Sequence, residues 1–108
     1  MIETHTIHDE AAESLDVVLR VTPDPTAATP YFAISTKGVN TPGAFVAGSW
    51  RTSWVSTTGE ITALTPTIGG AGAGATLAIT TGSEWWVWCR VVVGSETFVR
   101  ICAVAVCP

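Results

Sequence analysis

Charge is scarce in this sequence. Asp, Glu, Lys and Arg together make up 13% of its 108 residues, about half of the ~25% usual in a soluble domain. A free surface normally carries more, so the shortage points to surface covered by neighbouring subunits. The five basic side chains, Arg20, Lys37, Arg51, Arg90 and Arg100, are scattered and outnumbered by nine acidic ones. Phosphate backbones are bound by clustered Lys and Arg, which excludes nucleic acid as a partner. Apolar residues reach 47% but never form a run near the ~18 residues of a membrane span. The polar, acidic start MIETHTIHDEAAES resembles neither a secretion signal nor a lipid-binding helix. No membrane partner is expected.

Histidine is absent beyond position 8, and that absence bears on catalysis. Any imidazole base would hang from the first eight residues, and no serine sits in a nucleophile elbow. The carboxylates are dispersed, with no pair set apart as acid and base. The glycine run 69–74 lacks the Lys-Ser/Thr ending of a phosphate-cradling loop. It reads as a mobile tip whose glycines permit close backbone approach to another subunit. His5, His8, Asp9 and Glu10 are the one dense group of metal-ligating residue types. A zinc site needs three or four ligands on a rigid frame, whereas this group lies in an aperiodic polar segment. The expectation is no enzyme, no metal and no cofactor.

A sustained 3.6-residue period is also missing, and what is present instead is alternation. The stretch 84–106, EWWVWCRVVVGSETFVRICAVAV, reads as two long strands joined by a turn over 94–96. Successive strand side chains face opposite sides. Trp85, Val87, Cys89, Val91 and Val93 therefore share one face, and Trp86, Trp88, Arg90 and Val92 the other. On the second strand Thr97, Val99, Ile101, Ala103 and Ala105 alternate with Phe98, Arg100, Cys102, Val104 and Val106. Both faces of this hairpin are largely apolar. One is covered by the chain's own second sheet, and the other requires a partner. A two-residue turn at Ser95-Glu96 would set Cys89 opposite Cys102. Directly opposed strand residues seldom satisfy disulfide geometry, so these two and Cys107 are expected as free thiols, as in a reducing cytoplasm.

Upstream, 14–22 alternates as a half-buried strand, with Leu15, Val17, Leu19 and Val21 on one face. Residues 31–36 form a short strand, 37–43 a loop, and 48–56 a strand carrying Trp50, Thr52 and Trp54 on one face. Strands at 61–65 and 76–80 follow. About seven short strands at this spacing predict an all-β, immunoglobulin-like antiparallel β-sandwich over 14–108. Residues 1–13 read as an N-terminal arm that becomes ordered against a neighbour or the domain edge.

Trp85 and Trp86 cannot both point inward. With Trp85 in the core, Trp86 and Trp88 form an outward patch, extended by Val92 and, across the hairpin, by Phe98 or Val104. An aromatic patch of this kind packs on protein or stacks on sugar, and few polar side chains flank it to bind hydroxyls. Trp86 and Trp88 are therefore expected at a protein interface, together with Ile2 and Ile7 as the arm's isolated anchors.

The order of features resembles a known group. VVLRV at 17–21 leads through a proline-bounded turn to YFAIS at 31–35 and AGSWRTSW at 47–54. A Gly-Gly linker then precedes EWWVWCRVV at 84–92 and an apolar last strand. GSW at 48–50 and VWCRV at 87–91 are the most specific parts. Over most of 14–106 this is similar to the small immunoglobulin-like virion structural proteins of tailed phages infecting actinobacteria. The resemblance implies a virion component assembled in the bacterial host cytoplasm, either a capsid-associated decoration protein or a part of the head–tail connector. It further implies partners among the major capsid or neck proteins and copies of itself, with no catalytic residues. Trp86 beside Trp85 and the three cysteines depart from the expected pattern. The alternative reading is a carbohydrate-binding sandwich that contacts a cell-wall glycan.

Overall fold

The computed structural model describes residues 2–108. Its strands are β1 (Glu3–Thr6), β2 (Ala12–Glu13), β3 (Asp16–Arg20), β4 (Tyr31–Thr36), β5 (Val46–Ala47), β6 (Ser49–Trp50), β7 (Glu60–Leu64), β8 (Ile68–Gly69), β9 (Leu77–Ala78), β10 (Ser83–Val93) and β11 (Glu96–Cys107). They form a five-stranded sheet in the order β1-β11-β10-β4-β5 and two three-stranded sheets, β3-β7-β6 and β2-β8-β9. The molecule is an all-β sandwich. Two pairings, β1 with β11 and β8 with β9, are parallel, which departs from the purely antiparallel expectation.

The frame is the β10–β11 hairpin. Its register pairs Val93 with Glu96, so the turn is Gly94-Ser95. Gly94 has φ +61° and Ser95 is not in the positive region, the sign pattern of a type II′ turn with Gly first. The expected Ser95-Glu96 turn is thereby displaced by one residue, and Cys89 faces Arg100 rather than Cys102. A bulge follows: Trp88 pairs with Ile101, Val87 with Ala103, and Cys102 is left between. One extra residue reverses which side chains face inward. Before the bulge Phe98 and Arg100 share the inner face with Val91 and Cys89. After it the inward residues are Ala103, Ala105 and Cys107, all buried. The uniform alternation read from the sequence fails at this point, and Phe98 does not extend the outward patch.

The inner face of β10 and β4, with Phe32, Val87, Cys89 and Val91, packs on Val17, Leu19, Ile61 and Ala63 from the facing sheet. Ile68, Leu77 and Ile79 close one end. Gly48 marks where the chain crosses between sheets: β5 pairs with β4, and two residues later β6 pairs with β7. A Cβ there would stand 2.5 Å from the Leu64 carbonyl and from the Phe32 ring, which gives the GSW motif a physical reason. The strand expected over 48–56 is shorter than read. Only Ser49–Trp50 pairs as a strand, and Val55 makes an isolated bridge to Glu60. Trp50 and Trp54 donate their indole N–H groups to the Ala28 and Val21 carbonyls at 2.7 and 2.8 Å.

Residues 2–13 are ordered against the edge of their own domain, the second of the two alternatives expected for them. Strand β1 lies along β11, β2 pairs with β8, and Ile7 is 1% exposed in the core. Ile7 was expected to anchor on a neighbour and instead anchors on its own domain. Met1 lies outside the described residues. The glycine run is likewise not a free tip. Gly69 and Gly70 are buried against the Ala11 and Asp9 carbonyls, where a Cβ would collide with backbone, and only Ala71–Ala73 turns outward as a short 3₁₀ helix. Gly70→Ala is expected to cost roughly 3 kcal/mol. At Gly72 a Cβ would meet only open space, so Gly72→Ala should cost less than about 0.5 kcal/mol. Urea unfolding of the two variants checks the contrast.

Candidate protein-binding face and neighbouring thiol cleft

Trp85 turns inward as expected, packing half-buried against the core. Its indole N–H is buried with no protein acceptor. Trp85→Phe discards that group, so its cost should fall below the ~1 kcal/mol expected for Trp54→Phe, which breaks a bond to the Val21 carbonyl. Thermal denaturation of both variants is the check.

Trp86 and Trp88 meet on the outer face with ring centroids 6.4 Å apart and planes at 65°. Both are half-buried, because part of this face is covered from within the chain. The Trp88 indole donates to Ser35 Oγ at 2.8 Å, and Ser35 Oγ donates to the Val39 carbonyl at 2.9 Å. The Arg90 guanidinium lies 5.0 Å from the Tyr31 ring centroid and 4.5 Å from that of Phe45, a cation–π clamp. These contacts fold the loop 37–45 over the β4 side of the face. The β11 side stays open: Val104 stands across from Trp86, Ile101 from Trp88 and Val99 from Arg90. Val92 and Val99 are 45% and 48% exposed. Strand spacing alone put the Trp pair and Val92 here. Phe45 and Ser35 went unnoticed, since nothing local in AFV or AIS tells which sheet face they reach.

Ile2 is exposed at the edge of the sandwich, apart from the tryptophans. It lines a cleft of about 510 Å³ between β3 and β11 that also contains Leu19, Val91, Phe98, Arg100 and both Cys89 and Cys102. The bulge turns Cys102 into this cleft beside Cys89. The Cys102 thiol is held protonated far above its ordinary range, first by the adjoining Cys89 thiol and then by burial, and it donates to the Val87 carbonyl at 3.4 Å. All three cysteines are free thiols.

Two members of the N-terminal cluster, His5 and Asp9, are drawn into other contacts. His5 Nε2 is 3.5 Å from a Glu3 carboxylate oxygen, and Asp9 accepts from the Thr81 hydroxyl at 2.9 Å. Among the described residues no three His, Cys, Asp or Glu side chains converge on a metal-sized site. Among the same residues no helix is long and apolar enough to cross a membrane. No known protein family, no curated protein and no solved structure matches the chain.

Proposed function

We propose that this chain is a structural subunit of a tailed-phage virion, capsid-associated or at the head–tail neck, acting through protein–protein packing. The observation that carries the reading is the outer sheet face, where Val92 and Val99 are about half exposed and Trp86 and Val104, paired in register, are partly exposed on the same face. Left in water such a patch favours aggregation, and in an assembly it is buried. The low charge of the chain and the resemblance of its strand sequence to small virion proteins support the same reading. In the particle the partners are capsid or neck proteins and further copies of this chain.

A sugar-binding role finds less support. Trp86 and Trp88 meet edge to face and so offer no common flat platform to a sugar ring. The test is incorporation: particles are assembled with wild-type chain and with Val92→Lys/Val99→Lys chain, then purified and analysed for its peptides. Wild-type incorporation with exclusion of the variant is expected. Equal incorporation would remove this face from assembly, and retention of the wild-type chain by cell-wall polysaccharide alone would favour the sugar-binding role.

A further inference from the structure

We propose that Cys89 and Cys102 form a dithiol modification site that exchanges with a small anionic peptide disulfide and closes into an intramolecular disulfide across the β10–β11 bulge. Three observations lead there. The bulge leaves Cys102 without a cross-strand partner and turns it inward. Both thiols line one open cleft. The third cysteine, Cys107, is 1% exposed and paired in register with Ser83, away from that cleft. Opposed strand residues are poorly placed for a disulfide, but Cys89 and Cys102 are offset by the bulge, and an irregular ladder relaxes that restriction.

Cleft size and charge define the oxidant. About 510 Å³ accommodates part of a peptide, and its wall combines Leu19, Val91 and Phe98 with Arg100. Arg20 is neutralised by Glu60 at 3.0 Å. Arg100 has no ion-pair partner among the described residues, so its guanidinium is available to a carboxylate at the cleft mouth. A disulfide of the glutathione type, flexible and carrying several carboxylates, fits this chemistry.

Cys102 is partly exposed whereas Cys89 is 3% exposed, so Cys102 attacks first. Because its thiol is held protonated above the ordinary range, the exchange quickens as pH rises. Its thiol releases a proton to solvent and the thiolate attacks one sulfur of the small disulfide. That S–S bond breaks, and one small thiolate leaves and takes up a proton. Cys89, deprotonated in turn, attacks the Cys102 sulfur of the mixed disulfide and expels the second small thiol. Two protein thiols lose two electrons and two protons, and one small disulfide becomes two thiols.

The folded chain is incubated with oxidised glutathione, the reaction is quenched with an alkylating agent, and the product is mapped by peptide mass. One disulfide linking Cys89 to Cys102 is expected, with Cys107 alkylated as a free thiol. Arg100→Gln is expected to slow the reaction with oxidised glutathione roughly tenfold while leaving that with neutral bis(2-hydroxyethyl) disulfide unchanged. Reaction at Cys107 first, links between chains, a mixed disulfide that never resolves, or three inert thiols in the folded chain would each overturn the site. Equal rates for Arg100→Gln and wild type with oxidised glutathione would overturn the anionic specificity. Cys102→Ser, at the more exposed of the two positions, should abolish intramolecular closure without relying on replacement of buried Cys89.

Discussion

Replacing Ile7 with alanine is expected to lower the unfolding free energy by about 2–5 kcal/mol, the range for emptying a large aliphatic site in a packed core. Ile7 is 1% exposed, and its backbone N–H donates to the Val106 carbonyl at 2.9 Å. It closes β1 against β11 and leads into the turn 8–11, whose carbonyls press on Gly69 and Gly70. The cavity therefore opens where three pieces of the chain meet, with little freedom to collapse. Domains of this size hold about 5–15 kcal/mol in total, so deletion of residues 2–7 should leave little folded protein. Ile2→Ala, at a position 51% exposed, should stay within about 0.5 kcal/mol of wild type. Chemical denaturation followed by tryptophan fluorescence reads all three, and equal stability of Ile7→Ala and Ile2→Ala would show that residues 1–13 are an independent arm after all.

The second large effect is expected on association rather than folding. Val92→Lys with Val99→Lys places two charges on side chains that are already about half exposed, so the melting temperature should change little. A desolvated charge in a packed interface costs several kcal/mol, and incorporation into particles should fall by two orders of magnitude or more. Trp86→Ala should act in the same direction, since a central interface tryptophan commonly contributes about 2 kcal/mol or more. Trp88 makes a poorer probe. Its indole holds Ser35 and through it Val39, so Trp88→Ala would loosen the loop 37–45 and confuse folding with association. Binding assays alongside circular dichroism separate the two.

Strand alternation made most of the fold legible. Tyr31–Thr36 was readable to its ends, and β3, β7 and β10 fall within or one residue from where alternation put them. What failed has physical causes. The bulge at Cys102 exchanges the faces of half of β11, and no turn residue or glycine announces it. The glycine run carries the composition of a mobile loop, yet Gly69 and Gly70 are small because residues 9–12 pass directly over them. Ile7 stands alone in a polar segment, and a single apolar residue cannot define a period. On the candidate face, Trp86 and Trp88 followed from spacing alone. The clamp of Arg90 between Tyr31 and Phe45 joins residues from three elements and has no local signature.

If the chain is a virion protein as proposed, quantitative mass spectrometry of purified particles tests that role most directly. Peptides of this chain are predicted in stoichiometric ratio to the major capsid or neck proteins. Absence of the chain from washed particles, with recovery in the free soluble fraction or on host cell-wall material, would contradict that role.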